Sequence, residues 1–188
     1  MAQTDIWTER LFLRAAEERD LFAFKKFLRD PEAMKYWSTA PHTDIEQTKK
    51  FLDNMIKSPC NGVLDFVVCL PDASSTGISS GGSDECCAIP IGKAGIWNGQ
   101  EIGFILSSEY WGKGYAFEAL DAIIKQFWAT NEREEATIKA DVDPRNKRCL
   151  RLLKKLGFVE VGMAKNTYET HIGWCDSVYL EARKPSSH

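Results

Sequence analysis

A mixed α/β fold follows from three features of the sequence. The first is Glu101-Ile-Gly-Phe-Ile-Leu106, then Ser107-Ser-Glu-Tyr110, then Trp111-Gly-Lys-Gly-Tyr-Ala-Phe-Glu-Ala-Leu120, which reads as a strand, a glycine loop and the start of a long helix. The second is the alternation of Ala136, Ile138, Ala140 and Val142, the mark of a strand with one buried face. The third is apolar recurrence at helical spacing, in Leu21, Phe24, Phe27 and Leu28 and again in Ala116, Ala119, Leu120, Ile123, Ile124 and Phe127. Strands and helices interleaved in this way belong to mixed folds. At 188 residues the chain is expected to form one domain, 1–188, with volume for a real core.

Taken in order, Leu11-Phe-Leu-Arg14 is a short strand and Asp20 to Leu28 a helix that stops at Asp30-Pro31. A short segment with Met34, Tyr36 and Trp37 follows. Thr43 or Asp44 caps a helix reaching about Lys57, with Ile45, Phe51, Leu52, Met55 and Ile56 on its apolar side. Val63 to Leu70 is a strand between Gly62 and Pro71. Residues 71–88 are rich in serine, glycine and acidic side chains and cannot form a core, so they are expected to be a flexible insertion between two strands. Ile89 to Trp97 and Glu101 to Leu106 make an antiparallel pair across the Asn98-Gly99 turn. The helix after the glycine loop ends near Thr130-Asn131. Asn146 caps a further helix, with Cys149, Leu152, Leu153 and Leu156 inward and Gly157 just past its end. Phe158 to Met163 and Val178 to Arg183 are the last strands.

Composition narrows the function. A net charge of −3 gives no reason to expect nucleic acid, whose phosphates demand a basic face. The longest apolar runs are far short of a membrane span. The stretch Met1-Ala-Gln-Thr-Asp-Ile-Trp7 lacks the basic start and apolar core of a signal peptide, so a cytoplasmic or nuclear location is expected. Six cysteines and three histidines show no zinc spacing, so no metal is expected. The cysteines read as reduced thiols, several of them small hydrophobes within apolar patterns, with Cys86-Cys87 as a remote redox candidate.

The chemistry centres on the glycine loop. Gly112 and Gly114 permit a tight turn and close backbone approach to a ligand. Free N–H groups at a helix N-terminus, with Lys113 beside them, form an anion site suited to phosphate. The GxxxxGK[ST] and GxGxxG spacings of other phosphate loops are absent.

The loop Trp111-Gly-Lys-Gly-Tyr-Ala116 resembles the acyl-CoA pyrophosphate loop of the GNAT superfamily of N-acetyltransferases, usually Gln/Arg-x-x-Gly-x-Gly/Ala. Trp111 stands in the Gln/Arg place, Gly114 is the glycine and Ala116 the last position. About 30 residues on, Asp143-Pro-Arg-Asn-Lys-Arg-Cys-Leu-Arg-Leu-Leu-Lys-Lys-Leu-Gly-Phe158 is similar to the family's next motif. The version here resembles the branch that contains the ribosomal-protein-alanine N-acetyltransferases, and the likeness runs from about Arg10 to Arg183. The resemblance implies a mostly antiparallel sheet of six to seven strands, splayed in the middle and flanked by about four helices. It implies acetyl-CoA as acyl donor, no metal, and direct transfer to an amine in a ternary complex of a monomer or homodimer.

The same resemblance assigns candidate residues. Trp111, Gly112, Lys113, Gly114, Tyr115 and Ala116 would hold the CoA pyrophosphate. The backbone of Phe104, Ile105 and Leu106 would face the pantetheine arm, although an ordinary buried strand fits them too. Glu101 is the general-base candidate, with a solvated residue beside a turn as its plainer reading and Asp141 as the next carboxylate to suspect. Asn146 would meet the pantetheine or a water, and it also has a complete capping role. Cys149 stands where the branch often has a serine near the CoA sulfur, and the tyrosine acid of other branches is not evident. A thiol is a weak donor, so a minor catalytic part or plain packing is expected of it. Arg145, Lys147 and Arg148 either meet CoA phosphates or form a solvated basic turn. Glu118 is explained by the helix dipole. Trp37, Trp97 and Trp174 are acceptor-pocket candidates or core. His42 and His171 read as structural.

The leading expectation is an acetyl-CoA-dependent N-acetyltransferase acting on a protein or peptide N-terminus or on a small amine. A CoA-binding sensor that lost turnover is the alternative from another class. Replacing residues 71–88 by a short Gly/Ser link is expected to leave the melting temperature within a few degrees, the scale of a change of about 1 kcal/mol in a chain of this size. Loss of a cooperative melt would show that the segment belongs to the core.

Overall fold

The computed structural model describes residues 4–58, 63–71, 88–97, 100–133 and 135–185. The elements in chain order are β1 (Ile6–Trp7), β2 (Phe12–Arg14), α1 (Leu21–Leu28), α2 (Pro31–Met34), α3 (Ile45–Lys57), β3 (Leu64–Pro71) and β4 (Ala88–Trp97). They continue with β5 (Glu101–Leu106), α4 (Tyr115–Thr130), β6 (Thr137–Val142), α5 (Lys147–Lys155), β7 (Val159–Thr170) and β8 (Gly173–Arg183). One sheet holds all the strands in the order β1-β2-β3-β4-β5-β6-β8-β7. Every neighbouring pair is antiparallel except β5 and β6.

Two apolar layers cover the sheet, one on each face. On one face α4 and α5 bring Leu120, Ile123, Ile124 and Leu153 onto Phe66, Val68, Ile102, Leu106, Ile138 and Val142. On the other, α1 to α3 bring Phe24, Phe27, Leu28, Met34, Leu52 and Met55 onto Phe12, Val67, Cys69 and Ile105. β3 lies under both layers, which is why Phe66-Val-Val-Cys69 is a continuous apolar run. β6 alternates instead: Ile138, Ala140 and Val142 are buried while Lys139 and Asp141 are exposed. The second layer stops at β5, and beyond it one face of β6 and β8 is open.

The caps follow the sequence. Asp44 caps α3, with Gln47 completing a reciprocal box. Asn146 Oδ1 accepts from the Cys149 N–H at 3.1 Å and caps α5. Pro90 sits in β4 opposite Cys69, where the register shifts between Val68 and Cys69, so its missing N–H falls at an irregularity of the ladder.

Among the described residues the sheet has eight strands where six to seven were expected, and there are five α-helices where about four were expected. The two-residue β1 and the four-residue α2 are too short to leave a periodic signal. The last two strands form a longer hairpin than expected, since β7 and β8 run through 164–170 and 173–177. Register shifts after Glu160 and between Ala164 and Tyr168 break the period-two pattern there. The Asn98-Gly99 turn, Cys60, Cys86-Cys87 and the interior of 71–88 lie outside the described residues.

Leu120 is fully buried at the centre of the α4 layer. Leu120→Ala should cost about 2–5 kcal/mol, read as a lower urea midpoint. Phe22 is 77% exposed, and Phe22→Ala should change stability by less than about 0.5 kcal/mol.

Candidate active site

The site begins where β5 and β6 part. The two parallel strands share the single register pair Glu101 and Lys139, and the Lys139 N–H donates to the Gln100 carbonyl at 2.8 Å. Past that pair the β6-facing edge of residues 102–106 has no strand partner among the described residues. The opposite edge of β5 is fully paired with β4. Phe104, Ile105 and Leu106 therefore lie along an open backbone edge, the geometry in which an extended ligand can add as a strand. The Leu106 carbonyl already accepts the Trp111 indole N–H at 2.9 Å. Trp111 thus ties the loop to the strand and packs on the core, so its indole donor is spent inside the protein rather than on a phosphate.

The glycine loop leaves the far end of β5. Gly112 and Gly114 have φ of +75° and +86°, and Gly114 is the residue before α4. The space a Cβ would fill at Gly112 is open. Tyr115, Ala116 and Phe117 begin α4, so their N–H groups have no acceptor within the helix. Lys113 and Arg148 are exposed beside them, the first 5.2 Å from the Tyr110 ring centre and the second 5.5 Å from that of Trp111. Several N–H donors, a helix N-terminus and two exposed cations fit a pyrophosphate.

At the other end of β5 a cavity of about 490 Å³ opens on the uncovered face, lined by Glu101, Lys139, Asp141, Val161, Tyr179 and Glu181 among others. Glu101 is exposed there. Asp141 keeps one side open to water, yet partial burial pushes its carboxyl above the ordinary aspartate range against a hydrogen bond from Ser177. The two carboxylates singled out in the sequence thus share one cavity. Tyr168, absent from the sequence reading, stands near Asp141, with its phenol pushed up to about 12 by burial and by the charges of Asp141 and Asp143.

Other candidates are placed differently. Arg145 is engaged within the protein. It grips the buried Asp143 with Nε at 2.9 Å and Nη2 at 2.6 Å, and Nη2 also reaches Cys175 Sγ at 3.0 Å. Burial pushes the Asp143 carboxyl up, but these hydrogen bonds outweigh it and hold it below the usual range. Lys147 is exposed at the first position of α5. Asn146 spends its carbonyl on the Cys149 cap. Cys149 is half-buried, and burial pushes its thiol up to about 12. Trp37 packs with the α1–α3 layer. Trp174 is 58% exposed and does not line the cavity. Trp97 stands opposite Glu101 in the β4–β5 register. His42 is hydrogen-bonded to Thr48 at 3.0 Å, and His171 is exposed in the β7–β8 turn.

This arrangement matches known proteins. The family described as acetyltransferase (GNAT) domain matches residues 10–159. The chain belongs to the GNAT acetyltransferase family. It is 30% identical over 181 residues to the uncharacterized N-acetyltransferase p20 of Bacillus licheniformis, covering 93% of each chain. It is 34% identical over 84 residues to the uS5-alanine N-acetyltransferase of Escherichia coli, covering 45% of this chain and 42% of that one. A GNAT-family acetyltransferase structure from Bacillus anthracis superposes with a TM-score of 0.78 at 25% identity, covering 96% of this chain and 99% of that one.

One support of the GNAT loop was invisible in the sequence. Glu118, expected to answer only the helix dipole, is gripped from the N-terminus of the chain. Its carboxylate accepts from Thr8 Oγ1 at 2.6 Å, the Arg10 N–H at 2.7 Å and Arg10 Nε at 2.7 Å. Arg10 Nη1 donates to the Lys113 carbonyl at 2.9 Å, and the guanidinium lies 4.8 Å over the Tyr115 ring. Arg10 therefore clamps the loop to the first turn of α4. The partners are more than 100 residues apart, so no local pattern announces them. Burial opposes ionisation of Glu118, but the hydrogen bonds from Thr8 and Arg10 prevail and hold its carboxyl below the ordinary range. A depressed carboxylate stabilises the fold above its unfolded pKa of about 4.3, and that contribution is lost as pH falls through the folded value. Arg10→Ala should weaken CoA binding by roughly tenfold, the scale of one charge-assisted hydrogen bond. It should also remove part of the stability difference between pH 7 and pH 3.5. Calorimetry with CoA and urea melts at the two pH values check both. Gly114→Asp, which puts a carboxylate against the phosphates, should abolish CoA binding.

Proposed function

We propose that this GNAT acetyltransferase moves the acetyl group of acetyl-CoA to a primary amine by direct attack in a ternary complex, with Glu101 as general base. The observation that carries the reading is the open edge of β5, which runs from the glycine loop at one end to Glu101 at the other. Five residue steps span roughly 17 Å, a length suited to an extended pantetheine arm. Phosphates on residues 112–116 and an arm along 104–106 would bring the thioester to the cavity that holds Glu101 and Asp141.

A primary amine is mostly protonated at neutral pH and must lose a proton to attack. Glu101, open to solvent at the cavity margin, can take that proton through a water. Cys149 is a poor acid for the departing thiolate. A thiol near 12 is weaker than an ordinary thiol, so protonating CoA from it would run uphill. It is a minor contributor. The acceptor is a protein or peptide N-terminus, in keeping with the uS5-alanine enzyme among the relatives, or a small amine.

The test is thiol release from acetyl-CoA with an alanine-initiated peptide, spermidine and n-butylamine, read with mass detection of the products. Glu101→Gln should lower kcat by about 10²–10⁴ with CoA affinity unchanged. The loss should shrink as pH rises toward the pKa of the amine. Asp141→Asn should cost less. Parent-like turnover by Glu101→Gln at neutral pH would pass the role to Asp141 or to a water chain. CoA binding without turnover on any amine would favour a sensor on the same fold.

A further inference from the structure

The centre of the α1–α3 face holds a buried charge pair that the chemistry above does not use. Lys93 on β4 is 4% exposed and Asp65 on β3 is 7% exposed. Lys93 Nζ lies 2.9 Å from Asp65 Oδ1 and 3.0 Å from Oδ2. The same ammonium sits 4.2 Å from the ring centre of Trp97 and 5.5 Å from that of Phe51. A buried pair of this kind seldom adds stability over an apolar pair of similar volume, so its presence points to geometry rather than to the strength of the core.

Two glycines make room for the cluster. Gly95 is the register partner of Asp65, and a Cβ on it would lie 2.4 Å from the Leu64 carbonyl oxygen and 2.7 Å from Asp65 Oδ1. On β5, a Cβ on Gly103 would lie 2.6 Å and 2.8 Å from two carbons of the Trp97 ring. Glycine weakens a strand interior and there marks close approach. The Trp97 ring is thereby laid against β5, one position along that face from Glu101, its register partner.

We propose that Lys93, held by Asp65, is a positioning residue that fixes Trp97 beside Glu101 as the wall on which the acceptor amine docks. This rests on the reading that the acceptor meets Glu101 from the α1–α3 side. Lys93 is too deeply buried to reach the acceptor itself. Its ammonium pins the ring from within, by a cation–π contact with Trp97, while the ion pair and the hydrogen bond to Asp65 Oδ2 hold the ammonium in place. The acetyl-CoA edge lies on the other side of β5, so the device acts on one substrate and not on the other.

The test uses the Asp65→Leu/Lys93→Met double variant, which removes both charges and leaves neither stranded. Gly103→Ala displaces the ring with the charge pair intact. Steady-state kinetics use the alanine-initiated peptide, or spermidine if that is the panel member turned over. The double variant should melt within a few degrees of the parent while its KM for the acceptor rises about five- to thirty-fold, the factor that the loss of one desolvated cation–π contact converts to. KM for acetyl-CoA and kcat should stay within about twofold. Gly103→Ala should give the same split, and it carries the test if the double variant does not fold. A double variant with parent KM for the acceptor, or an equal rise in both KM values, would overturn the proposal. If the parent turns over no amine, the functional reading fails while the positioning claim remains testable by near-ultraviolet circular dichroism. The band assigned to Trp97 by Trp97→Phe should vanish in the double variant, and an unchanged band refutes the claim.

Discussion

The structure depends on one break in its own sheet. β5 and β6 meet at Glu101 and Lys139 and then part, so one backbone edge in the middle of the sheet has no strand partner among the described residues. Unpaired backbone N–H and C=O groups at a strand edge are costly when buried and invite another strand when open. The helix and loop arrangement maintains the gap. α4 leaves the end of β5 through the glycine loop and returns to β6, and its apolar side packs under both strands. The core beneath is continuous while the ladder above is interrupted. Thr8 and Arg10 then hold the loop from a distant part of the chain, so the anion end of the gap is set by tertiary contacts as well as by glycine geometry.

A second consequence concerns the other face. The α1–α3 layer ends at β5, which leaves the outward side chains of β6 and β8 on an open surface. Lys139, Asp141, Tyr179 and Glu181 occupy it together with Glu101. A full second layer would have buried these groups and required partners for each charge. Ending the layer early gives a polar cavity next to an apolar shelf, with the parting of the strands between them.

Much of this was legible in the residues. The strand–loop–helix at 101–120 and the alternation at 136–142 are local patterns, and local patterns survive in sequence. So do the caps at Asp44 and Asn146. The hairpin of β7 and β8 was shortened because bulges scramble the period of two, and β1 and α2 are too brief to show one. The glycine loop was legible because backbone chemistry dominates it, with positive φ at Gly112 and Gly114 before α4. Side-chain partnerships were less legible. Arg145 read either as a phosphate ligand or as part of a solvated basic turn, and the structure pairs it with Asp143 two residues before it and with Cys175 on β8. Glu118 looked like a helix-dipole residue because its partners lie at the chain's start. Tyr168 and Lys93 gave no signal at all, since a tyrosine on a hairpin and a lysine in a strand are unremarkable until the fold places them beside Asp141 and Trp97.

The two faces of the sheet divide the physical work. The cluster under α4 and α5 gathers apolar residues from β2 to β8. Several buried polar side chains lie on the opposite face. Arg14 grips Asp20 at 2.6 Å where β2 leads toward α1, Thr48 is buried in α3 beside His42, and Lys93 grips Asp65 at mid-sheet. Each buried pair carries a desolvation cost that hydrophobic packing would not. A fold selected for stability alone would have no reason to gather them on one side. Fixed charges and directional hydrogen bonds, however, hold side chains at defined angles in a way that dispersion contacts do not. The apolar face supplies the stability that the gap in the sheet and the buried charges consume. The polar face supplies the orientation that the acceptor site proposed beside Glu101 would require.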